Sequence, residues 1–248
     1  MVKILGGIQH AFRVLLGKNP ARRALTVMPG DVFIVSYPKS GNTWTRFLIG
    51  NLVHPTEPVT FANVEEILPS IYVHPDRVLR RLARILKSHE AFDPRYPKVI
   101  YIVRDPRDVS VSYYHYCRKR GWINEGCTIA EFVPRFLAAE FEIHFGTWAD
   151  NVMSWVALRS GNPNFLLLRY EDMIAQSDVE LAKVARFLGI EATPERIARA
   201  VALSSADRMR ELEKKEGDNW ALTKGTRKDV PFIRAAKAGG WRNSLSAA

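Results

Sequence analysis

Short apolar, β-favouring runs alternate with longer stretches of helical periodicity along most of this chain. Four runs stand out, VFIVSY, ARILKSH, KVIYIVR and NFLLLRY, at residues 32–37, 83–89, 98–104 and 164–170. Each is nearly all apolar instead of alternating with polar positions, the signature of strands covered on both faces in a parallel sheet. Between and around them, apolar residues recur with helical spacing over residues 43–53, 75–82, 109–119, 129–159 with interruptions, 179–188 and 194–202. The pattern predicts an α/β fold of three layers, a central parallel β-sheet flanked by helices. No internal repeat or low-complexity segment interrupts it, and 248 residues suit one domain with a single large core.

The two ends depart from this rhythm. In an N-terminal arm over residues 1–28, Ile4, Leu5, Ile8, Phe12, Leu15 and Leu16 make one helical stripe with Lys3, Arg13 and Lys18 beside it. The stripe fits a helix docked on the domain, a helix lying on a membrane or a transit segment. The first is favoured, because a signal peptide would have a longer apolar centre and a small-residue cleavage site. No apolar run approaches the roughly 20 residues of a membrane span. At the other end, residues 217–248 are rich in Gly, Lys, Arg and Trp and hold no sustained period, which predicts a lid.

Composition narrows the partners. Hydrophobic residues make up 47% of the chain, enough to exclude wholesale disorder. A formal charge of +10 attracts phosphate-bearing ligands, nucleic acid or acidic surfaces and equally suits a solubilising surface, so charge alone does not choose among them. The basic runs ARR, RRLAR, CRKR and TRK are scattered instead of gathered with aromatics on one helix, so a nucleic-acid partner is not expected. Cys117 and Cys127 form neither a CxxC pair nor a ligand-spaced set with histidine; the expectation is no disulfide framework, no zinc site and a reducing, cytoplasmic home.

In parallel sheets ligands bind beyond the carboxyl ends of the strands. The first of these ends reads YPKSGNTW from Tyr37, a strand, a tight loop and a helix start. Backbone amides at such a turn cradle anions. Gly41 removes a side chain that would block the approach, Ser40, Asn42 and Thr43 add side-chain donors, and Lys39 supplies a point charge. The familiar GxxxxGK[ST] loop puts its lysine after the last glycine, whereas Lys39 precedes Gly41; no strand ends in an acidic metal ligand, since Arg104 precedes Asp105. A magnesium-dependent kinase or NTPase is therefore the disfavoured alternative, and the residues predict an anionic donor handled by cations and amides without a metal. Ser88-His89, Arg104-Asp105 and Tyr170-Glu171-Asp172 occupy the other strand ends.

YPKSGNTW resembles the 5′-phosphosulfate loop of the cytosolic sulfotransferases, whose usual form is YPKSGTTW. IVRDPRDVSVSYYHY resembles that family's 3′-phosphate segment, and LKSHE and LRYEDM match in the same order. The resemblance implies a P-loop-like sulfotransferase fold and transfer of a sulfuryl group from 3′-phosphoadenosine 5′-phosphosulfate (PAPS) to a hydroxyl or amine, leaving 3′-phosphoadenosine 5′-phosphate (PAP). It implies a donor loop of Lys39, Ser40, Gly41, Asn42 and Thr43, with Trp44 stacked on adenine and Tyr170 bonded to the base. It assigns Arg104 and Ser112 to the 3′-phosphate. Lys39 serves the leaving oxygen, Lys87 the transferring group, and His89 is the general base; Lys87 and His89, two apart, share one side of a strand. His115 is expected to be a packing residue.

Two weaker matches complete the set. SSADRM at residues 204–209 resembles TSFxxM, bringing Ser204 and Met209 to the nucleotide, with Ala206 where an aromatic usually covers adenine. FIRAAKAGGW at residues 232–241 resembles FxRKGxxGDW. Arg234 then reaches the 3′-phosphate, while Ala235 and Ala236 stand where Lys-Gly is expected, and the missing charge and amide approach would weaken closure. The segment carrying a dimerisation motif in many members is not found beyond this point, so dimerisation by that route is not expected and monomer and dimer both stay open. The acceptor is expected to be a small molecule. Loops over residues 56–72 and 121–145 carry Phe61, Ile67, Ile71, Tyr72, Trp122, Phe132, Phe136, Phe141 and Phe145, some of them core, the rest predicting an apolar cleft for a phenol or an apolar alcohol.

Overall fold

The computed structural model describes residues 25–82, 84–141 and 144–245. The predicted N-terminal amphipathic helix lies outside the described residues. Each apolar run contains a strand: β1 (Val32–Ser36), β2 (Ile85–Ser88), β3 (Lys98–Val103) and β4 (Phe165–Arg169). All pair in parallel, in the order β2-β1-β3-β4. Helices follow in chain order as α1 (Asn42–Val53), α2 (Val64–Ile67), α3 (Asp76–Leu79), α4 (Pro106–Arg120), α5 (Ile129–Leu137), α6 (Trp148–Arg159), α7 (Tyr170–Ala175), α8 (Ser177–Leu188), α9 (Pro194–Leu203) and α10 (Ala206–Glu216).

The strand pleat sorts the core into two layers. Val32, Ile34, Ile100 and Ile102 join a cluster with Phe47 of α1, Leu181 of α8, Ile197 of α9 and Met209 of α10. Phe33, Val35, Val99 and Tyr101 join the other, with Val152 and Trp155 of α6. Alternate strand positions thus face opposite helical layers, which is why β1 is apolar from Val32 to Val35 before it reaches Ser36.

Two expectations need correction. NFLLLRY was expected to be covered on both faces, but β4 is an edge strand in which Leu168 alone is buried and Leu167 is 42% exposed. The helical stretch at residues 75–82 reduces to the single turn of α3. The interrupted helical stretch expected over residues 129–159 is α5, opened by a Thr128–Glu131 capping box, followed by α6, capped by Thr147 on the Asp150 amide. A further helix, α10, had no apolar signal: only Met209 and Leu212 are buried among eleven mostly charged residues, and the Ser205 cap on the Arg208 amide starts it. Among the described residues no helix is long and apolar enough to cross a membrane.

Candidate active site

Because the strands are parallel, the ends of β1, β2 and β3 open onto one side of the sheet. A cavity of about 590 Å³ lies there. Of the predicted site residues, Lys39, Gly41, Asn42, Thr43, Trp44, Lys87, His89, Arg104, Ser112, Tyr170, Ser204, Met209, Arg234, Ala235 and Ala236 all line it. Ser40 does not; its hydroxyl is buried and meets no hydrogen-bond partner in the protein.

The loop between β1 and α1 is bent by two left-handed residues, Lys39 at φ 69° and Gly41 at φ 103°. A Cβ on Gly41 would stand 2.6 Å from Tyr170 Cδ2. Glycine is therefore demanded here by backbone conformation and by the Tyr170 ring, more directly than by ligand approach. Thr45 is the first residue of α1 whose amide turns back, onto the Gly41 carbonyl at 3.0 Å. The amides before it have no intrahelical acceptor and remain available to an anion. Asn42 departs from expectation: its Nδ2 reaches the carbonyl oxygens of Ile34 at 3.3 Å and Ser88 at 3.5 Å and the Ser36 hydroxyl at 3.3 Å. Its side-chain donors hold the ends of β1 and β2 together, so what it offers a ligand is its backbone amide.

Positive charge converges on this loop. Arg104 donates to the Lys39 carbonyl at 3.2 Å and lies 4.1 Å from the Tyr170 ring centre. Its Nε is buried and meets no partner in the protein. Lys39 Nζ sits over the rings of Tyr116 and Phe232, 4.5 and 4.3 Å from their centres. Burial, reinforced by Arg104 and Arg234, pushes the Lys39 ammonium down to about 7. Burial and Arg104 also hold Arg234 below its ordinary value. The nearby acids are committed elsewhere. Asp105 caps α4 and pairs with Arg107 at 2.6 Å, and Asp108 accepts the Gly239 and Trp241 amides at 2.6 and 2.8 Å. An anionic ligand fits a cation cluster whose neighbouring carboxylates are hydrogen-bonded elsewhere.

Residues 217–245 form one wall of the cavity through Leu222, Phe232, Ile233, Arg234, Ala235 and Ala236. Glu213 of α10 accepts the Phe232 and Ile233 amides at 2.6 and 2.8 Å. Lys119 of α4 donates to the carbonyls of Arg227 and Val230 at 3.0 and 2.7 Å. With Asp108, these two residues dock a segment that has only one short 3₁₀ turn of its own, at Gly240–Asn243. Ala236 adopts φ 47°, the left-handed conformation that suits glycine.

His89 is held on three sides. Its Nδ1 lies 2.7 Å from the Ser36 carbonyl oxygen. A carbonyl only accepts, so Nδ1 carries the proton and Nε2 presents its lone pair. Its amide donates to the Tyr72 hydroxyl at 2.8 Å, and Asn151, buried on α6, donates to the carbonyls of His89 and Phe145 at 3.1 and 3.3 Å. Burial, followed by the charges of Lys87 and Lys39, holds the imidazole well below its ordinary pKa and hence neutral. Tyr72 and Phe145 flank the ring, at centroid distances of 6.1 and 5.6 Å. Of the nine acceptor-cleft candidates, only Tyr72 and Phe145 line the cavity. Phe61, Ile67, Ile71, Phe132 and Phe136 are core, Phe141 packs beside them, and Trp122 is exposed on the surface. Trp44 Nε1 donates to the Ser204 carbonyl at 3.0 Å, and its ring meets Tyr170 edge-on at 5.7 Å.

The sulfotransferase-domain profile matches residues 29–248. Human sulfotransferase 2B1 is 29% identical over 246 residues, covering 92% of this chain and 65% of the human protein. Mouse sulfotransferase 1B1 is 30% identical over 233 residues, covering 87% and 77% of the two chains. The crystal structure of mouse sulfotransferase SULT7A1 complexed with PAP matches this fold with a TM-score of 0.71 at 26% identity, over 94% of this chain and 83% of that one. The chain belongs to the PAPS-dependent sulfotransferase family. It spans just under two thirds of the length of the human relative.

Proposed function

We propose that this chain transfers a sulfuryl group from PAPS to the hydroxyl of a small apolar acceptor, a phenol or an apolar alcohol, with His89 as general base. The observation that carries the reading is the tautomer of His89. Its Nδ1–H is fixed on the Ser36 carbonyl, so an unprotonated Nε2 remains in the same cavity as Lys39 and Lys87.

Lys39 and the first-turn amides of α1 would hold the 5′-phosphosulfate. Arg104, Ser112 and Arg234 would take the 3′-phosphate, with Trp44 and Tyr170 beside the adenine. The relative solved with PAP supports that ligand for this cavity. PAPS supplies an activated sulfuryl group: the acceptor oxygen bonds to sulfur, the bond from sulfur to the bridging phosphate oxygen breaks, and its electron pair leaves with PAP. His89 Nε2 takes the acceptor's hydroxyl proton, a contribution of about 10²–10⁴-fold for a general base. Lys39 offsets the charge gained by the departing oxygen, and Lys87 stabilises charge spread over the sulfuryl oxygens. Tyr72, Val73 and Phe145 on the His89 side offer an apolar surface to the acceptor.

The test is sulfuryl transfer from PAPS to a panel of phenols and aliphatic alcohols. His89→Ala should lower kcat by about 10²-fold or more while PAP binding persists, and Lys39→Ala should weaken both. Absence of PAP and PAPS binding to the wild type by calorimetry would refute the donor assignment.

A further inference from the structure

We infer that Tyr72 and Glu90 are positioning residues for sulfuryl transfer, a coupled pair that fixes His89 and Lys87 relative to each other. This rests on the assignment of His89 and Lys87 to the chemistry above.

Glu90 is 1% exposed, one residue beyond the base and outside the cavity lining. A carboxylate buried this deeply is unfavourable unless its environment uses it. Its Oε1 accepts from the Tyr72 hydroxyl at 2.9 Å. That hydroxyl in turn accepts the His89 amide at 2.8 Å. Burial and the neighbouring Glu90 raise the Tyr72 phenol well above its ordinary value, so it keeps its proton and donates to the carboxylate. The donor–acceptor direction along His89, Tyr72 and Glu90 is thereby fixed.

The Tyr72 ring contacts both reactive side chains. It stacks on the His89 imidazole with 13° between the planes, and Lys87 Nζ lies 5.0 Å from its centre. One aromatic residue thus touches the base and the cation expected at the sulfuryl group. The hydroxyl end of that ring is tied to Glu90 at 2.9 Å and to the His89 amide at 2.8 Å. The backbone around Glu90 is itself immobilised: Trp155 Nε1 donates to the Glu90 carbonyl at 2.9 Å, and the Glu90 amide donates to the Ser88 hydroxyl at 3.1 Å. The carboxylate is therefore a rigid anchor, and misplacement of a catalytic group by about 1 Å costs on the order of 10²-fold in rate.

The experiment compares Tyr72→Phe, Glu90→Gln and Glu90→Ala. Tyr72→Phe keeps the ring and removes only the hydroxyl. Glu90→Gln keeps an acceptor oxygen for that hydroxyl, whereas Glu90→Ala removes it. Tyr72→Phe and Glu90→Ala should each lower kcat about 10- to 100-fold, with acceptor KM changed less than about 3-fold and PAP affinity unchanged. Glu90→Gln should recover kcat to within about 3-fold of the wild type, a rescue that a purely structural role for the carboxylate does not require. Hydrogen exchange at the His89 amide, read without any acceptor, should speed by about 10-fold or more in Tyr72→Phe. Absence of transfer by the wild type would defeat the sulfotransfer reading and leave the exchange measurement to judge the pair. Wild-type kcat in Tyr72→Phe, or unchanged exchange at the His89 amide, overturns the positioning role.

Discussion

Nucleotide binding should carry a proton with it, and the carrier should be Lys39. In the free protein burial and the charges of Arg104 and Arg234 bring its pKa down to about 7. Two dianionic phosphates in the cavity would reverse the electrostatic part of that effect, so the ammonium is charged in the complex. With a free pKa of about 7, the charged fraction is about 0.1 at pH 8 and about 0.9 at pH 6, so binding PAP takes up about 0.9 proton at pH 8 and about 0.1 at pH 6. The affinity should then weaken about fivefold from pH 7 to 8 and nearly tenfold more from pH 8 to 9. The sign follows from the inequality: the complex binds more protons than the free protein, so raising the pH opposes it. Calorimetric titration with PAP in two buffers of different ionisation enthalpy reads the uptake directly. Lys39→Met is the control, because the pH-dependence of the PAP phosphates survives in it and subtracts out. A binding enthalpy independent of buffer at pH 8, or the same pH slope in Lys39→Met, would refute the reasoning. The same inequality acts on folding. Between pH 7 and 10.5 the unfolded chain holds a proton that the folded chain has released, so the cost of burying the Lys39 ammonium, full below pH 7, is relieved as pH rises through that window and stability increases.

Three further outcomes are expected. Ala236→Gly relieves a left-handed alanine, a conformation that costs about 1–2 kcal/mol for a residue with a Cβ; after the entropy of glycine is subtracted, the melting temperature should rise by about 2 °C, and a fall would count against the backbone argument. Asp108→Ala strands the Gly239 and Trp241 amides and loosens the wall that carries Arg234, and PAP affinity by calorimetry should fall about 30-fold, equivalent to about 2 kcal/mol; unchanged affinity would show that the docking does not matter to the ligand. Because burial holds His89 well below 6.5, the acid limb of kcat/KM should lie below pH 6.5, and a limb at pH 7 or above would exclude a base in this environment.

Particular residues explain what could be read in advance. β1, β2 and β3 and the YPKSGNTW loop were legible because covered parallel strands suppress alternation and because ligand-facing residues must follow them in the chain, whereas NFLLLRY carried the same apolar run although β4 is largely uncovered. The docking of residues 217–245 was not. Asp108 lies in RDPRD, where a carboxylate reads the same whether it faces water or two amides 131 and 133 residues away. Glu213 and Lys119 are equally silent, since each binds backbone groups that have no side-chain signature. The acceptor aromatics were overcounted for a related reason: Phe132 and Phe136 lie on a strongly amphipathic helix, and an apolar stripe facing a core is indistinguishable in sequence from one facing a cleft.

Asn42 shows how the fold and the chemistry meet. In β1 and β2 the register pairs Val35 with Ser88. One step further along both strands, Ser36 lies beside His89, which is why the imidazole Nδ1 finds the Ser36 carbonyl. Side chains alternate along β2, so Lys87 and His89 enter the cavity while Ser88 turns away to meet the Tyr96 hydroxyl at 3.1 Å. A slip of one residue would send Ser88 and Glu90 into the cavity and take Lys87 and His89 out of it. The register is held where it matters by Asn42, whose amide spans from the Ile34 carbonyl on β1 to the Ser88 carbonyl on β2. Asn42 therefore acts through strand alignment: the loop whose first-turn amides are available to an anion also sets the position of His89.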